Sequence, residues 1–231
     1  MNSKSPLRVA VVGTGFSQAI HIPGLQHHPR TELVAVYNRD LGKAKAIADK
    51  NNIPYAFHNL DKLLAMSDLD AVTLSTPPFL HYEMGKQILK AGKHLLLEKP
   101  MAMSAQETRE LYHLATKNNL VATTDFEFRY VPAWQLLREK LEEGYIGQPR
   151  LIKIDWLVAS RANPERGWNW YALKDKGGGV LGAVGSHAFD YIHWLFGPVK
   201  RLCARLVCAI KQRPDPLENA CLLYTSDAAD D

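Results

Sequence analysis

Cysteine, long apolar runs and a clear excess of one charge are all scarce in this chain of 231 residues. Its three cysteines, Cys203, Cys208 and Cys221, lie near the C-terminal end and none belongs to a CxxC pair. That pattern reads as reduced thiols rather than as a disulfide framework. No apolar stretch approaches the roughly 20 residues of a membrane-spanning helix. The opening MNSKSPLRVAVVG has no apolar core long enough for a signal peptide. A cytoplasmic protein with no membrane partner is therefore expected. Basic residues number 28 against 24 acidic ones, a formal charge of +4 spread without long runs. A nucleic-acid binder more often gathers its basic residues into an arm or stripe, so no such partner is expected. Metal-ligand spacing is missing too. His27 and His28 are adjacent, and His187 and His193 fall on different helix faces, so no metal is expected.

The remainder is ordinary for a soluble globular protein, with 46% hydrophobic and 23% charged residues. Short β-rich apolar runs alternate with helical patterns from residue 7 to about residue 124. Leu7–Val12, Glu32–Tyr37, Ala71–Ser75, His94–Leu97 and Leu120–Thr123 read as strands. Leu41–Lys50, Leu60–Met66, Phe79–Ala91 and Ser104–Asn118 read as helices, one closed by Gly92 and another opened by a Ser104/Glu107 capping box. Continuous apolar strands, each followed by a helix, imply a parallel sheet covered on both faces. The expected fold class is thus α/β: a doubly wound Rossmann sheet over residues 1–124. An α+β domain with an open, mostly antiparallel sheet is expected over 125–220. In that domain Val131–Glu143 reads as an amphipathic helix and Arg150–Val158 as an alternating strand. A Trp-rich loop follows, then a glycine run, a helix ending near Phe196 and a strand over Val199–Ile210.

The first strand runs into Gly13-Thr14-Gly15-Phe16-Ser17-Gln18. Gly13 permits a tight turn, Gly15 lets the backbone approach a pyrophosphate, and the helix that follows offers unpaired N–H groups. The usual third glycine is missing, since position 18 is Gln. Two glycines alone also mark plain strand-to-helix turns, but directly after the first strand of an α/β pattern they read as a dinucleotide cradle. The second strand ends in Asn38-Arg39-Asp40. Asn38 stands where an NAD enzyme typically presents an acid to the ribose, and Arg39 can pair with a 2′-phosphate. NADP(H) is therefore favoured, with NAD(H) possible. The bland alternative has Arg39 in solvent and Asp40 as an N-cap.

Four segments together resemble the glucose–fructose oxidoreductase/inositol dehydrogenase (Gfo/Idh/MocA) family. They are GTGF at 13–16, STPP at 75–78 with His81, AGKHLLLEKP at 91–100 and GGGVLGAVGSH at 177–187. The resemblance implies an NAD(P)-dependent oxidoreductase acting on a sugar, polyol or related small molecule. Ser75, Thr76 and Pro77 would line the cofactor cleft with Gly13, Thr14, Gly15 and Phe16. His81 would sit close by, or serve only as a helix-cap partner. Glu98-Lys99-Pro100 would stand at the nicotinamide, its proline often preceded by a cis peptide in the family. Lys99 would hydrogen-bond the substrate oxygen and His187 would exchange its proton. A surface ion pair is the bland alternative for Glu98 and Lys99. The full-length protein is expected to form a homo-oligomer.

The chain departs from the family at Ala183, four residues before His187, where many members carry an aspartate. Asp190 is then either an orienting group for His187 or a structural partner. Arg129 reads equally as a substrate anchor and as a surface residue. Trp168, Trp170 and Tyr171 read as an aromatic wall over a ring or as packing. Two other functions remain open: a glycosidase that uses a transient oxidation, and a non-catalytic nucleotide-binding relative. Finally, Cys221–Asp231 (CLLYTSDAADD) resembles a translated sequencing adapter, so 221–231 is expected to be non-native and the gene to continue beyond about Ala220.

Overall fold

The computed structural model describes residues 5–157, 159 and 162–216, with the backbone of a short strand at Leu222–Tyr224. Apart from that strand, the expected non-native tail lies outside the described residues. The chain divides into two compact units, Met1–Asp125 and Phe126–Asp231.

In the first unit the order is β1 (Leu7–Val12), α1 (His21–His27), β2 (Thr31–Tyr37), α2 (Leu41–Lys50), β3 (Tyr55–Phe57), α3 (Leu60–Leu64), β4 (Ala71–Leu74), α4 (His81–Lys90), β5 (His94–Glu98), α5 (Ala105–Lys117) and β6 (Ala122–Asp125). The strands form one six-stranded sheet in the order β3-β2-β1-β4-β5-β6, and all its pairings are parallel. The order reverses between β1 and β4, so the loops leaving those two strands part company. Their carboxyl ends then frame the crevice where ligands bind in such sheets.

Alternation along each strand sends side chains to two cores. Ala10, Val12, Val72, Leu74, Leu95 and Leu97 pack with α3, α4 and α5, while Val11, Val36 and Leu33 pack with α1 and α2. Each leucine fully withdrawn from water contributes about 1.5–3 kcal/mol, and Leu74, Leu89 and Leu97 are wholly buried. Local signals fix where the helices begin and end. Asp40, Asn59 and Ser104 accept from the backbone N–H of Lys43, Lys62 and Glu107. The Glu107 carboxylate takes the N–H of Met103 rather than that of Ser104. Helices α2, α4 and α5 all leave through a left-handed residue, Asn52, Gly92 and Asn119. In each case the next N–H reaches back five residues, as in Ile53 to Ala48 and Leu120 to Ala115, which satisfies a carbonyl the helix end would strand.

The second unit holds α6 (Pro132–Glu142), α7 (Ser186–Phe196) and a two-stranded antiparallel ladder of β7 (Gln212–Pro214) with β8 (Leu222–Tyr224). The strands expected at Arg150–Val158 and Val199–Ile210 are absent among the described residues of those stretches. Alternating apolarity gives a segment a face, but a strand also needs a neighbour for its N–H and C=O groups. No partner pairs these two segments among the described residues, and Leu151, Leu157, Leu202 and Val207 are exposed along them. No helix among the described residues is long and apolar enough to cross a membrane.

Candidate functional site

The carboxyl ends of β1, β4 and β5 gather most of the residues singled out in the sequence. Gly13, at the end of β1, has φ +99°, and a β-carbon there would stand 2.7 Å from the Ser75 carbonyl group and 2.9 Å from the Thr76 nitrogen. Glycine is thus required twice over, by backbone conformation and by the close approach of the β4 exit. Gly15 differs: a β-carbon there would meet no protein atom within 4 Å. A single 3-10 turn, Phe16–Gln18, separates it from α1, so the helix does not begin directly after the glycines. The buried Ser17 hydroxyl donates to the Gly13 carbonyl, and the Gln18 side chain donates to the Thr14 carbonyl. Gln18, standing at the missing third glycine, therefore braces the turn. Phe16 is largely exposed.

Asn38 ties the end of β2 to this turn. Its side-chain amide donates to the Thr14 hydroxyl, and its carbonyl oxygen accepts from the Asp40 N–H at 2.9 Å. Asp40 is the N-cap of α2. Arg39 is exposed and forms no ion pair among the described residues. Beyond β4, Ser75 and Pro77 are half-buried, and the Thr76 hydroxyl oxygen is buried with no hydrogen-bond partner.

The peptide between Lys99 and Pro100, beyond the end of β5, is cis. Lys99 is half-buried, while Glu98 is only 8% exposed. One Glu98 oxygen lies 2.9 Å from Nε2 of the buried His21 on α1, and the other accepts from the Lys99 N–H at 3.2 Å. Asp125, where β6 ends beside β5, places a carboxylate oxygen 3.8 Å from the same His21 nitrogen. One ligand-capable atom from each of His21, Glu98 and Asp125 lies within 4.8 Å of the others. The close His21–Glu98 contact has the length of a hydrogen bond. No local spacing signals this cluster: the three residues lie far apart, the parallel register of β5 and β6 pairs Glu98 with Asp125, and α1 brings His21 to them. His81 is 1% exposed, and backbone carbonyls face both of its ring nitrogens. Its Nδ1 is 2.9 Å from the Pro100 carbonyl oxygen and its Nε2 2.7 Å from that of Thr76. Burial lowers the pKa of this ring, against the opposing pull of the two carbonyls and of Glu98.

In the second unit His187 sits on the first turn of α7, with its side chain 6% exposed. Its Nδ1 is 3.7 Å from a Glu127 carboxylate oxygen, and its ring meets Phe128 edge-on at 4.8 Å between centroids. Trp156, Trp134 and the buried Tyr191 continue this aromatic cluster. Both oxygens of Asp190 accept from Arg129, Oδ2 from Nε at 2.8 Å and Oδ1 from the second nitrogen at 2.5 Å, as a structural partner would. The same pair engages two nitrogens of Arg129, whose side chain stays 42% exposed. Trp170 stacks on Tyr171 with centroids 4.0 Å apart, and the Trp168 N–H donates to the Pro214 carbonyl. A β-carbon on Gly178 would collide with the carbonyls of Tyr171 and Leu173, while Gly177 and Gly179 on either side hold positive φ. Ala183 lies in a π-helical turn, Leu181–Gly185, that precedes α7. The wider i→i+5 winding turns position 183 off the face that a spacing of four would share with His187 in an α-helix.

A family model described as the oxidoreductase family with an NAD-binding Rossmann fold (GFO_IDH_MocA) matches residues 7–126. The C-terminal domain model of the same family matches residues 134–229. An uncharacterised oxidoreductase of Synechocystis is 59% identical over 218 residues, covering 94% of this chain and 59% of its own length. The D-glucoside 3-dehydrogenase of Escherichia coli is 32% identical, over 84% of this chain and 55% of its own. The crystal structure of an oxidoreductase domain protein from Kribbella flavida superposes with a TM-score of 0.89 at 28% identity, covering 97% of this chain and 63% of that one. The chain thus spans rather more than half the length of the curated relatives it matches. On both of its matched segments, and on the glycine turn and the Glu-Lys-Pro turn described above, the chain belongs to the Gfo/Idh/MocA family of NAD-binding oxidoreductases.

Proposed function

We propose that this chain is part of an NAD(P)-dependent oxidoreductase that moves a hydride between nicotinamide and the hydroxyl or carbonyl carbon of a sugar, polyol or related small molecule. The observation that carries the reading is the convergence of three turns on one sheet edge: Gly13–Phe16 after β1, Ser75–Pro77 after β4 and Glu98–Pro100 after β5. Two local features suit a dinucleotide there. Backbone at Gly15 can be approached closely, and the buried Thr76 hydroxyl oxygen lacks a partner. The sugar class is suggested by the likeness to D-glucoside 3-dehydrogenase.

The bound nicotinamide supplies or accepts the hydride, and the protein supplies orientation and proton handling. Gly13, Thr14, Gly15 and Phe16 would hold the phosphates, with Ser75, Thr76 and Pro77 beside them. Lys99 would donate a hydrogen bond to the substrate oxygen and steady the charge that develops on it. His187 would take up or return the hydroxyl proton. Arg39, exposed at the end of β2, would pair with a 2′-phosphate, and the neutral Asn38 would not repel it. NADP(H) is therefore the preferred cofactor. Fluorescence titration of the chain with NADPH and then NADH tests this. Enhanced nicotinamide emission with tighter NADPH binding is expected. Tighter NADH binding would overturn the preference, and no binding of either by a folded chain would overturn the reading itself.

A further inference from the structure

Two buried histidines that this chemistry leaves unused contact the residues on either side of Lys99, Glu98 and Pro100. His21 and His81 are 5% and 1% exposed, so neither ring is open to a substrate. Yet both converge on the same tripeptide. On one side, His21 holds one oxygen of Glu98 while the other oxygen of Glu98 holds the Lys99 N–H. On the other side, His81 faces the Pro100 carbonyl with one ring nitrogen and the Thr76 carbonyl with the other.

We propose that His21 and His81 are positioning residues for Lys99, fastening both ends of the Glu98-Lys99-Pro100 turn to α1 and to the exit of β4. The inference rests on the assignment of Lys99 as the group that contacts the substrate oxygen. Lysine carries its charge on a flexible four-carbon stem, so the place and direction of its backbone decide where the ammonium dwells. Productive geometry tolerates errors of only about 0.5 Å, which demands support from neighbours that are themselves held. A planar imidazole between two carbonyl oxygens sets the separation of two turns as a rigid spacer. The neutral ring donates to one of them, and the protonated ring to both. Burying an imidazole costs desolvation that an apolar core residue would avoid. At each position one compensating contact belongs to the turn that bears Lys99: Glu98 for His21 and the Pro100 carbonyl for His81.

The test follows Lys99 directly in the full chain. Lysines are reductively methylated with 13C-formaldehyde, and the Lys99 resonance is assigned with K99R. Wild type is then compared with H21L and H81F, whose folding is checked by circular dichroism. The Lys99 resonance is expected to change both its shift and its titration midpoint in each variant. The resonances of Lys62 and Lys86, on α3 and α4, should stay in place. His21→Gln and His81→Gln, which keep a donor, should return Lys99 part of the way. A Lys99 resonance that keeps its wild-type shift and midpoint in either folded variant overturns the proposal for that histidine. Should H21L or H81F fail to fold, the near-isosteric E98Q and the smaller H81N give the same two readings. NADPH and NADH titrations of the unmethylated wild-type chain keep the outcomes apart. Loss of cofactor binding by wild type defeats the oxidoreductase reading, whereas an unmoved Lys99 resonance defeats only the positioning.

Discussion

The main chain of Gly13 lies so close to that of Ser75 that no side chain fits between them, and Gly13 also holds φ at +99°. Gly15, two residues on, has negative φ and open space where its β-carbon would be. The two glycines of one motif therefore meet different demands: the fold requires the first, and under the proposed function the second keeps the backbone open to a dinucleotide.

G13A is expected to destabilise the chain by about 2 kcal/mol or more, from left-handed strain plus a backbone clash. G15A should change stability by less than about 1 kcal/mol while weakening NADPH binding tenfold or more, equivalent to about 1.4 kcal/mol. Urea unfolding and nicotinamide fluorescence on the same two variants decide the matter. Equal loss of stability in both would contradict the division of labour.

Arg39→Ala should lower affinity for NADPH and leave that for NADH nearly unchanged, because the guanidinium would meet only the extra phosphate. Asn38→Ala differs, since it releases the Thr14 hydroxyl as well, and should weaken both cofactors. Parallel titrations at two salt concentrations check the charge argument: the R39A effect should shrink at high salt.

Burial depresses the pKa of His81 below 6.5. The unfolded chain therefore binds more protons than the folded one as pH falls below that value. Stability is expected to be full above about pH 6.5 and to decline as pH drops toward the folded-state pKa. Thermal unfolding of wild type at neutral and mildly acidic pH, beside H81F, isolates the contribution. A variant with the same acid sensitivity as wild type would assign the effect to other groups.

Arg129→Met would leave the Asp190 carboxylate, 8% exposed, without its partner. A loss of about 1–3 kcal/mol is expected, toward the lower end because Arg129 itself is 42% exposed and screened by water. R129M/D190N should recover part of it, and chemical denaturation of the four-member cycle measures the coupling. If R129M leaves stability intact and affects only substrate binding, Arg129 is an anchor after all.

How much of this was legible in the sequence follows from what each element rests on. β1, β2, β4 and β5 are continuous apolar runs buried on both faces, and they announced themselves. The same property hid the register shift between β1 and β2 at Val9/Ala10, because an apolar residue is welcome on either face. α1 went unread since Pro23 and Gly24 lie within it, and β3 since three residues carry no period. At the site, Gly13, Ser75 and Lys99 were visible as motifs at strand ends. The His21–Glu98–Asp125 cluster and the Arg129–Asp190 pair were not, for they arise from topology that no local spacing encodes.

The π-helical turn at Leu181–Gly185 amounts to one surplus residue in an otherwise α-helical path. Such a surplus is a length tolerance: the segment between the glycine run and His187 can shorten by a residue while the rest of α7 keeps its angular phase. Removing one residue from the turn should let it rewind as plain α-helix, with His187, Asp190 and Tyr191 still facing their present neighbours, whereas a deletion between His187 and Asp190 would turn Asp190 and Tyr191 about 100° relative to His187.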